Sequence, residues 1–233
     1  MHGARDGPWA AAPALNRADP LLAAVSRARS IPHRQDILRH GEVPGVAHVL
    51  LDGHTCRYQL LRNGHRQITA ILVPGDLCDL EAVLRGRADY GVAALTPCTV
   101  GEIPLAAIHE PREPGAGIAR ALWQHVLRDE AIAREWLVNI GRRPALERVA
   151  HLFCELRARL EGVGLASADG FEMNLTQAEL ADALGLTGVH INRVIRSLRQ
   201  GGLIRMDGPR LTILDRPALE ALAGFDPAYL RTA

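Results

Sequence analysis

Residues 176–203, TQAELADALGLTGVHINRVIRSLRQGGL, constrain this chain more than any other stretch. Thr176 stands three residues before Glu179, the spacing of a capping box. Leu180, Ala181 and Leu184 line one face of the short helix that follows. Gly185 has no Cβ and permits a sharp or left-handed turn. Leu186 fills the corner and Thr187 caps a second helix, in which Val189, Ile191, Val194, Ile195 and Leu198 recur at helical spacing. Gly201 and Gly202 end it. The rest of that helix is polar and basic: His190, Asn192, Arg193, Arg196, Arg199 and Gln200. A helix-turn-helix offers its second helix to the major groove, where Arg donates twice to guanine and Asn pairs with adenine. A solvated helix face is the plainer alternative. Residues 203–205, the turn Asp207-Gly208 and residues 210–214 add a two-stranded wing, and the complete pattern favours duplex DNA.

The formal charge of the chain is only +1, so any affinity for nucleic acid must come from a local basic face. Residues 193–210 supply one: Arg193, Arg196, Arg199, Arg205 and Arg210 against the single acid Asp207. Apolar residues make up 48% of the chain, enough for a substantial core. Cys56, Cys78, Cys98 and Cys154 are scattered, without a CxxC pair or zinc-finger spacing, which predicts reduced thiols in a cytoplasmic protein. No apolar run approaches the roughly 18 residues of a membrane span, and the N-terminal residues do not read as a secretion signal.

Along the chain, residues 1–20 read as a flexible segment rich in Ala, Pro, Gly and Arg, with a short helical start at residues 20–25. Short strand-like runs follow at residues 36–39, 46–51, 55–61, 67–72, 91–95 and 98–103. Asp52-Gly53 and Asn63-Gly64 between them are hairpin signals. Strands at this spacing predict a barrel or double-sheet roll, with residues 77–84 a short helix lying on it. A long helix is expected from residue 115 to residue 140. Its positions Ile118, Leu122, Val126, Ala133, Trp136, Leu137 and Ile140 carry more than one apolar stripe, which predicts contacts with both the roll and a partner chain. Burial within one subunit is the alternative. Pro144 ends that helix, residues 145–160 start another, residues 162–170 read as a linker, and residues 217–222 as a last short helix. The expected organisation is α+β: a flexible segment 1–20, a sensor-like roll 21–110, a dimerisation helix 111–141 and a DNA-binding domain 142–233.

Roll, long helix and winged helix-turn-helix, in that order, resemble the bacterial transcription regulators of the cyclic AMP receptor protein and fumarate-nitrate reduction regulator (Crp/Fnr) superfamily. The resemblance spans residues 31–214. It is most specific at Val73-Pro74-Gly75-Asp76-Leu77, at Ala94-Leu95-Thr96-Pro97-Cys98 and at residues 175–204. It implies an N-terminal double-stranded β-roll of the cyclic-nucleotide-binding type, a homodimer joined through the long helix, and a pair of recognition helices on a near-palindromic operator. It implies a regulator and not an enzyme, with double-stranded DNA as partner and RNA polymerase as a further partner of an activator.

The residues depart from the family pattern at two places. Recognition helices there commonly begin Glu-x-x-Ser-Arg or Glu-x-x-Gly-Arg; this chain has Val189, His190, Ile191, Asn192 and Arg193. Val189, His190, Asn192 and Arg193 are therefore the candidate base contacts. Val189 cannot accept from cytosine N4 but fits a thymine methyl. Thr176, Gln177, Thr187, Arg196 and Arg199 are the candidate phosphate contacts. The candidate effector pocket takes Asp79, Leu80, Glu81, Tyr90 and Gly91, with Tyr90 and Gly91 where cyclic-nucleotide binders carry an Arg and a Ser or Thr. A buried cyclic phosphate would lack its counter-charge, and neither Arg85 nor Arg87 is in register to replace it. The expected effector is an unknown small molecule or none.

No cofactor or metal is expected. None of the first 55 residues is Cys, against an iron-sulfur cluster of the family type. His33, His40, His48, His54, His65, His109 and His125 single out no haem-ligating pair. Cys78 and Cys98 are read as inert thiols rather than redox sensors. No Walker, GxGxxG or HExxH motif occurs. Two other functions stay open: a ligand-binding roll whose winged helix docks a protein partner, and a regulator that has lost its effector altogether.

Overall fold

The computed structural model of the chain describes residue 15, residues 19–109 and residues 117–231. The expectation for residues 1–18 falls outside the described residues apart from residue 15, as does the boundary at 110/111. Two compact units are present. The first holds the residues up to 59 together with 70–127, and the second holds 60–69 together with 128 onward.

α1 (Pro20–Ala23) leads into β1 (Arg27–Ile31), β2 (Asp36–Leu38), β3 (Val46–Asp52), β4 (Thr55–Leu60) and β5 (Arg66–Leu72), the first unit holding all of these but the residues within 60–69. Then come α2 (Leu80–Arg85), β6 (Gly91–Ala94), β7 (Cys98–Pro104), α3 (Leu105–His109) and the start of α4 (Ile118–Arg142). The strands form two sheets, β1-β7-β3 and β2-β6-β4-β5, the expected double-sheet roll. β1 escaped the sequence reading because Arg27, Arg29 and Ser30 are exposed on an edge strand and mask its alternation. β3 explains the two-sided packing. Successive side chains of a strand point to opposite faces, so Leu50 joins Ile31, Leu38, Leu72, Val92 and Val100 in one core. Ala47, Val49 and Leu51 join Leu21, Leu22, Ile103 and Ile108 in a second.

The Val73–Leu77 motif is a corner. Asp76, buried, accepts from Val73 N at 2.8 Å, while Gly75 N donates to Leu50 O at 2.8 Å and Leu50 N to Asp76 O at 2.9 Å. The corner thereby docks on β3 and delivers α2. At the Asp52–Gly53 turn, Gly53 has φ +82°, and a Cβ there would fall 2.6 Å from Pro97 O and 2.8 Å from Thr96 Oγ1. The turn and the Thr96–Cys98 segment thus require a residue without a side chain.

The second unit contains the end of α4, then α5 (Ala145–Gly162), β8 (Ala166–Ser167), β9 (Gly170–Glu172), α6 (Gln177–Leu184) and α7 (Gly188–Gln200). After these come β10 (Ile204–Asp207), β11 (Arg210–Ile213), α8 (Arg216–Ala223) and a 3₁₀ turn at Pro227–Leu230. The expected wing is present as β10 and β11, but it extends into a four-stranded sheet, β10-β11-β9-β8. The stretch read as a linker therefore contributes β8. Gly170 pairs with Thr212 and lies so close to the Leu211 carbonyl that no Cβ fits between them. α5 is buried on more than one face: Leu152, Phe153, Cys154 and Leu156 are buried, and so are His151, Glu155 and Arg157.

His151 is 1% exposed. Its Nε2 lies 3.2 Å from Glu135 Oε1, out of hydrogen-bonding alignment, and Arg143 donates to that same oxygen at 2.6 Å. The rings of Phe225 and Tyr229 pack on it with centroids at 5.3 and 6.2 Å. Burial first, and the Arg143 charge second, hold His151 down at about 4 despite the opposing pull of Glu135. The unfolded chain therefore binds an extra proton between about pH 4 and about pH 6.5. The His151 contribution to stability is complete above that window and falls away as the pH drops through it. The midpoint of urea unfolding is expected to rise between these two pH values, and His151→Gln to flatten that rise. An identical pH slope in the variant would show that His151 is not its source.

Candidate nucleic-acid interface

α6 and α7 are positioned by their caps. Thr176 Oγ1 accepts from Glu179 N at 3.2 Å, and Glu179 Oε2 accepts from Thr176 N at 2.7 Å, the capping box in full. Thr176 Oγ1 also donates to that carboxylate at 2.9 Å. Its hydroxyl is thus engaged within the cap in the free protein. Gly185 closes α6 in the left-handed conformation, φ +62°, and Thr187 caps α7 through His190 N at 3.2 Å.

α7 divides sharply. Ile191, Val194, Ile195 and Leu198 are buried. Val189 is 74% exposed, so it is not the core position its spacing suggested but the apolar tip of the open face. Asn192, Arg193, Arg196 and Arg199 are exposed with it, and His190 is half-buried. Among the described residues, Arg193, Arg196 and Arg199 form no ion pair. The wing arginines behave differently: Arg205 binds Asp207 at 2.7 Å, and Arg210 binds Asp169 at 3.2 Å. Of the five basic residues in that window, the three on α7 keep their charge available for an anion. Gln177 and Asn192, assigned to phosphate and base, touch one another in the free protein at 3.4 Å. Arg196 and Arg199 also line a groove of about 490 Å³ with Gln200, Ile204, Arg205 and Leu214.

In the roll, the predicted effector residues do not assemble an anion site. Asp79 is fully buried and accepts from His48 N at 2.8 Å and from His48 Nδ1 at 2.6 Å. Glu81 is exposed. Tyr90 is buried, and burial pushes its hydroxyl well above the usual phenol range. Tyr58 lies directly on Gly91, its cross-strand partner, and leaves no space for a Cβ. Arg85 is exposed and pairs with Asp89 at 2.6 Å. Sequence reasoning missed Arg57. Its guanidinium donates to Leu77 O at 2.6 Å and Cys78 O at 2.9 Å and lies 6.0 Å from the Tyr90 ring centroid. Only the folding of β4 against the corner after β5 brings it there. Cys56, Cys78, Cys98 and Cys154 are buried thiols. Burial raises Cys98 to about 11 and Cys154 to about 12, and lifts Cys78 well above its ordinary value. At neutral pH Cys78, Cys98 and Cys154 are therefore held as thiols rather than thiolates.

The long helix also sorts its residues. Ile118, Leu122 and Val126 pack against the second core of the roll. Trp136 is 5% exposed and donates through Nε1 to both oxygens of Glu155, at 3.0 and 3.1 Å. Its assignment to a partner-facing surface is therefore corrected: it belongs to the core of its own chain. Ile140 is half-buried, while Ala133 is exposed and Leu137 is 74% exposed. Trp123, Leu127 and Val138 are exposed as well.

A cyclic nucleotide-binding domain matches residues 28–110, and a Crp-like helix-turn-helix domain matches residues 147–222. The nitrogen fixation regulation protein FixK of Bradyrhizobium diazoefficiens is 31% identical over 177 residues, covering 75% of this chain and 72% of that protein. The chain belongs to the Crp/Fnr family. The transcriptional activator protein anr of Pseudomonas aeruginosa is 28% identical over 206 residues, 88% of this chain and 84% of its own. The solved structure of FixK2 from Bradyrhizobium japonicum shares the fold, with a TM-score of 0.75 at 24% identity over 84% of this chain and 96% of that one. As a Crp/Fnr member the chain is a DNA-binding transcription regulator and not an enzyme, and regulators of this family act as dimers. Among the described residues no helix is long and apolar enough to cross a membrane, and no cluster of three His, Cys, Asp or Glu side chains could hold a metal ion.

Arg193→Ala is expected to weaken binding to a specific site by about 1–3 kcal/mol, the value of a good bidentate base contact, and binding to random duplex far less. Electrophoretic titration on both DNAs measures the difference. Equal losses would move Arg193 from a base to a phosphate.

Proposed function

We propose that this Crp/Fnr regulator is a cytoplasmic homodimer that reads a near-palindromic operator through α7, without a cyclic nucleotide as effector. The observation that carries the DNA reading is the free triad Arg193, Arg196 and Arg199 on the open face of α7, beside the exposed Val189. Arg193 takes guanine, and Val189 takes a thymine methyl where an acidic residue would read cytosine. His190 and Asn192 flank them at base edges. Arg196 and Arg199 follow the phosphates, with Thr187 and Gln177 at the helix starts. The half-site accordingly departs from that of members with the acidic reader. The names of the relatives, transcriptional activators among them, favour activation and hence RNA polymerase as a partner.

The roll supports the second part of the proposal. A cyclic phosphate needs a cation and finds the buried acid Asp79, a phenol and a glycine covered by Tyr58. The nearby Arg57 already has two carbonyl partners. Desolvating the phosphodiester monoanion there, without a freed cation, is costly.

The partner face of α4 is proposed at Trp123, Leu127, Ala133 and Leu137. Trp123, Leu127, Glu130, Arg134 and Leu137 follow alternating steps of four and three residues, the spacing of a two-chain seam. The charged pair Glu130–Arg134, 3.2 Å apart, sits midway along it. Leu137→Glu is expected to dissociate the dimer at least about ten-fold more readily in sedimentation equilibrium, since an unpaired charge would enter an apolar seam. Trp136→Phe should leave dimerisation unchanged. The reverse result would return the seam to the Trp136 face.

Selection of genomic fragments by the purified protein, with bound small molecules removed, tests the whole reading. One palindromic motif, enriched equally with and without cyclic AMP, is expected. An enrichment that depends on cyclic AMP would overturn the effector-free reading. Binding that ignores salt would favour a protein-docking winged helix instead, because phosphate contacts must weaken as salt rises.

A further inference from the structure

The last described segment of the chain touches the group that fastens α4 to the DNA-reading domain. Glu155, on α5, is fully buried and sits at the centre. Trp136 of α4 donates to both its oxygens. Tyr229 of the 3₁₀ turn donates its hydroxyl to Glu155 Oε2 at 2.9 Å, and Arg159 donates to Oε1 at 3.3 Å. Phe225 and Tyr229 also enclose His151, which lies beside Glu135 of α4. The 3₁₀ turn is itself held in shape, since Asp226 accepts from Ala228 N at 2.9 Å. On the far side of the junction, Arg148 donates to Arg143 O at 3.1 Å and to Leu184 O at 2.8 Å, and so ties the α4–α5 turn to the end of α6. One carboxylate thus receives donors from three separate elements: the dimer helix, the first helix of the reading domain and the C-terminal segment.

We propose that the C-terminal segment is a clamp, in which Tyr229, through Glu155 and Trp136, fixes the direction in which the reading domain leaves α4. In a two-fold dimer that direction sets the separation of the two recognition helices, and hence the spacing of half-sites the protein accepts. Tyr229 is a positioning residue, remote from the open face of α7. Without its hydroxyl, Glu155 keeps Trp136 and Arg159 but loses the donor that comes from the tail, and the junction is no longer held from all three sides. The clamp rests on the homodimeric DNA reading proposed above.

The test is a library of palindromic duplexes that differ only in the spacer between half-sites, titrated against the full chain, Tyr229→Phe, and a chain ending at residue 224. Tyr229→Phe removes one oxygen and keeps the ring, so thermal unfolding monitored by circular dichroism should stay cooperative. The wild type is expected to prefer one spacer sharply. In Tyr229→Phe and in the shortened chain that preference should fall about ten-fold, the scale of one buried hydrogen bond to a charged group, while affinity for an isolated half-site stays unchanged. Trp136→Phe combined with Tyr229→Phe should lose little more than either alone, because both act through Glu155. An unchanged spacer preference in Tyr229→Phe, or an equal loss on every spacer and on the isolated half-site, would overturn the clamp. A wild type that binds palindromes without regard to spacing would overturn the clamp alone, whereas one that binds no duplex would overturn the DNA reading and the clamp with it.

Discussion

A recognition helix must satisfy two surfaces at once, and α7 does so by surrendering one face completely. Ile191, Val194, Ile195 and Leu198 are buried, and burial of four such side chains is worth several kcal/mol of apolar transfer. That face holds the helix so firmly that the opposite face is free to carry three unpaired arginines. The electrostatic cost of Arg193, Arg196 and Arg199 standing close together is small in water. On a phosphate backbone the same charges become the source of affinity. The wing does the reverse. Arg205 and Arg210 are matched by Asp207 and Asp169, so the hairpin supports the surface without adding much net charge to it. A chain of formal charge +1 thus presents three unpaired arginines together on one helix.

The roll applies the opposite economy. Several of its polar groups are partnered inward: the buried Asp79 with His48, the buried Asp76 with the Val73 amide, and, half-buried, Arg57 with two carbonyls and the Tyr58 hydroxyl with Asp36 at 2.9 Å. In a low-dielectric interior the loss of such a bond is not small. The roll supports the start of α4 through Ile118, Leu122 and Val126, which pack on its second core.

Local chemistry was the part legible in the sequence. The capping box at Thr176 and Glu179, the left-handed Gly185, the Gly53 turn and the lengths of α4 and α7 depend on neighbours along the chain, and the structure has each of them. The illegible part depends on what folds against what. Trp136 and Leu137 are adjacent, both apolar and both on a long helix, and nothing local says that one is buried and the other exposed. That choice is made by Glu155, nineteen positions away, which offers the indole N–H an acceptor. Arg57 was invisible for the same reason: its partners at Leu77 and Cys78 reach it only across the corner that Asp76 builds. β1 was hidden by its own arginines, and β8 by a glycine-rich stretch whose pairing is fixed from across the sheet by Gly170 and Thr212.

The junction of α4 and α5 shows why polar groups are placed where apolar ones would fold as well. A buried carboxylate pays a large desolvation penalty, and burial raises Glu155 above its ordinary value against the pull of Arg159, Trp136 and Tyr229. In stability alone such a network gains little over well-packed hydrocarbon. Hydrocarbon contacts, however, are non-directional and tolerate small rotations of one helix on another. An indole N–H, a phenol O–H and a guanidinium converging on two oxygens allow far less, because each bond weakens steeply as its angle opens. For an enzyme core that directional stiffness would add little. For a regulator whose two recognition helices must meet successive turns of one duplex, about 34–36 Å apart, a few degrees at the junction become a displacement at the groove. Directional bonds at the junction are therefore what the DNA-reading geometry demands.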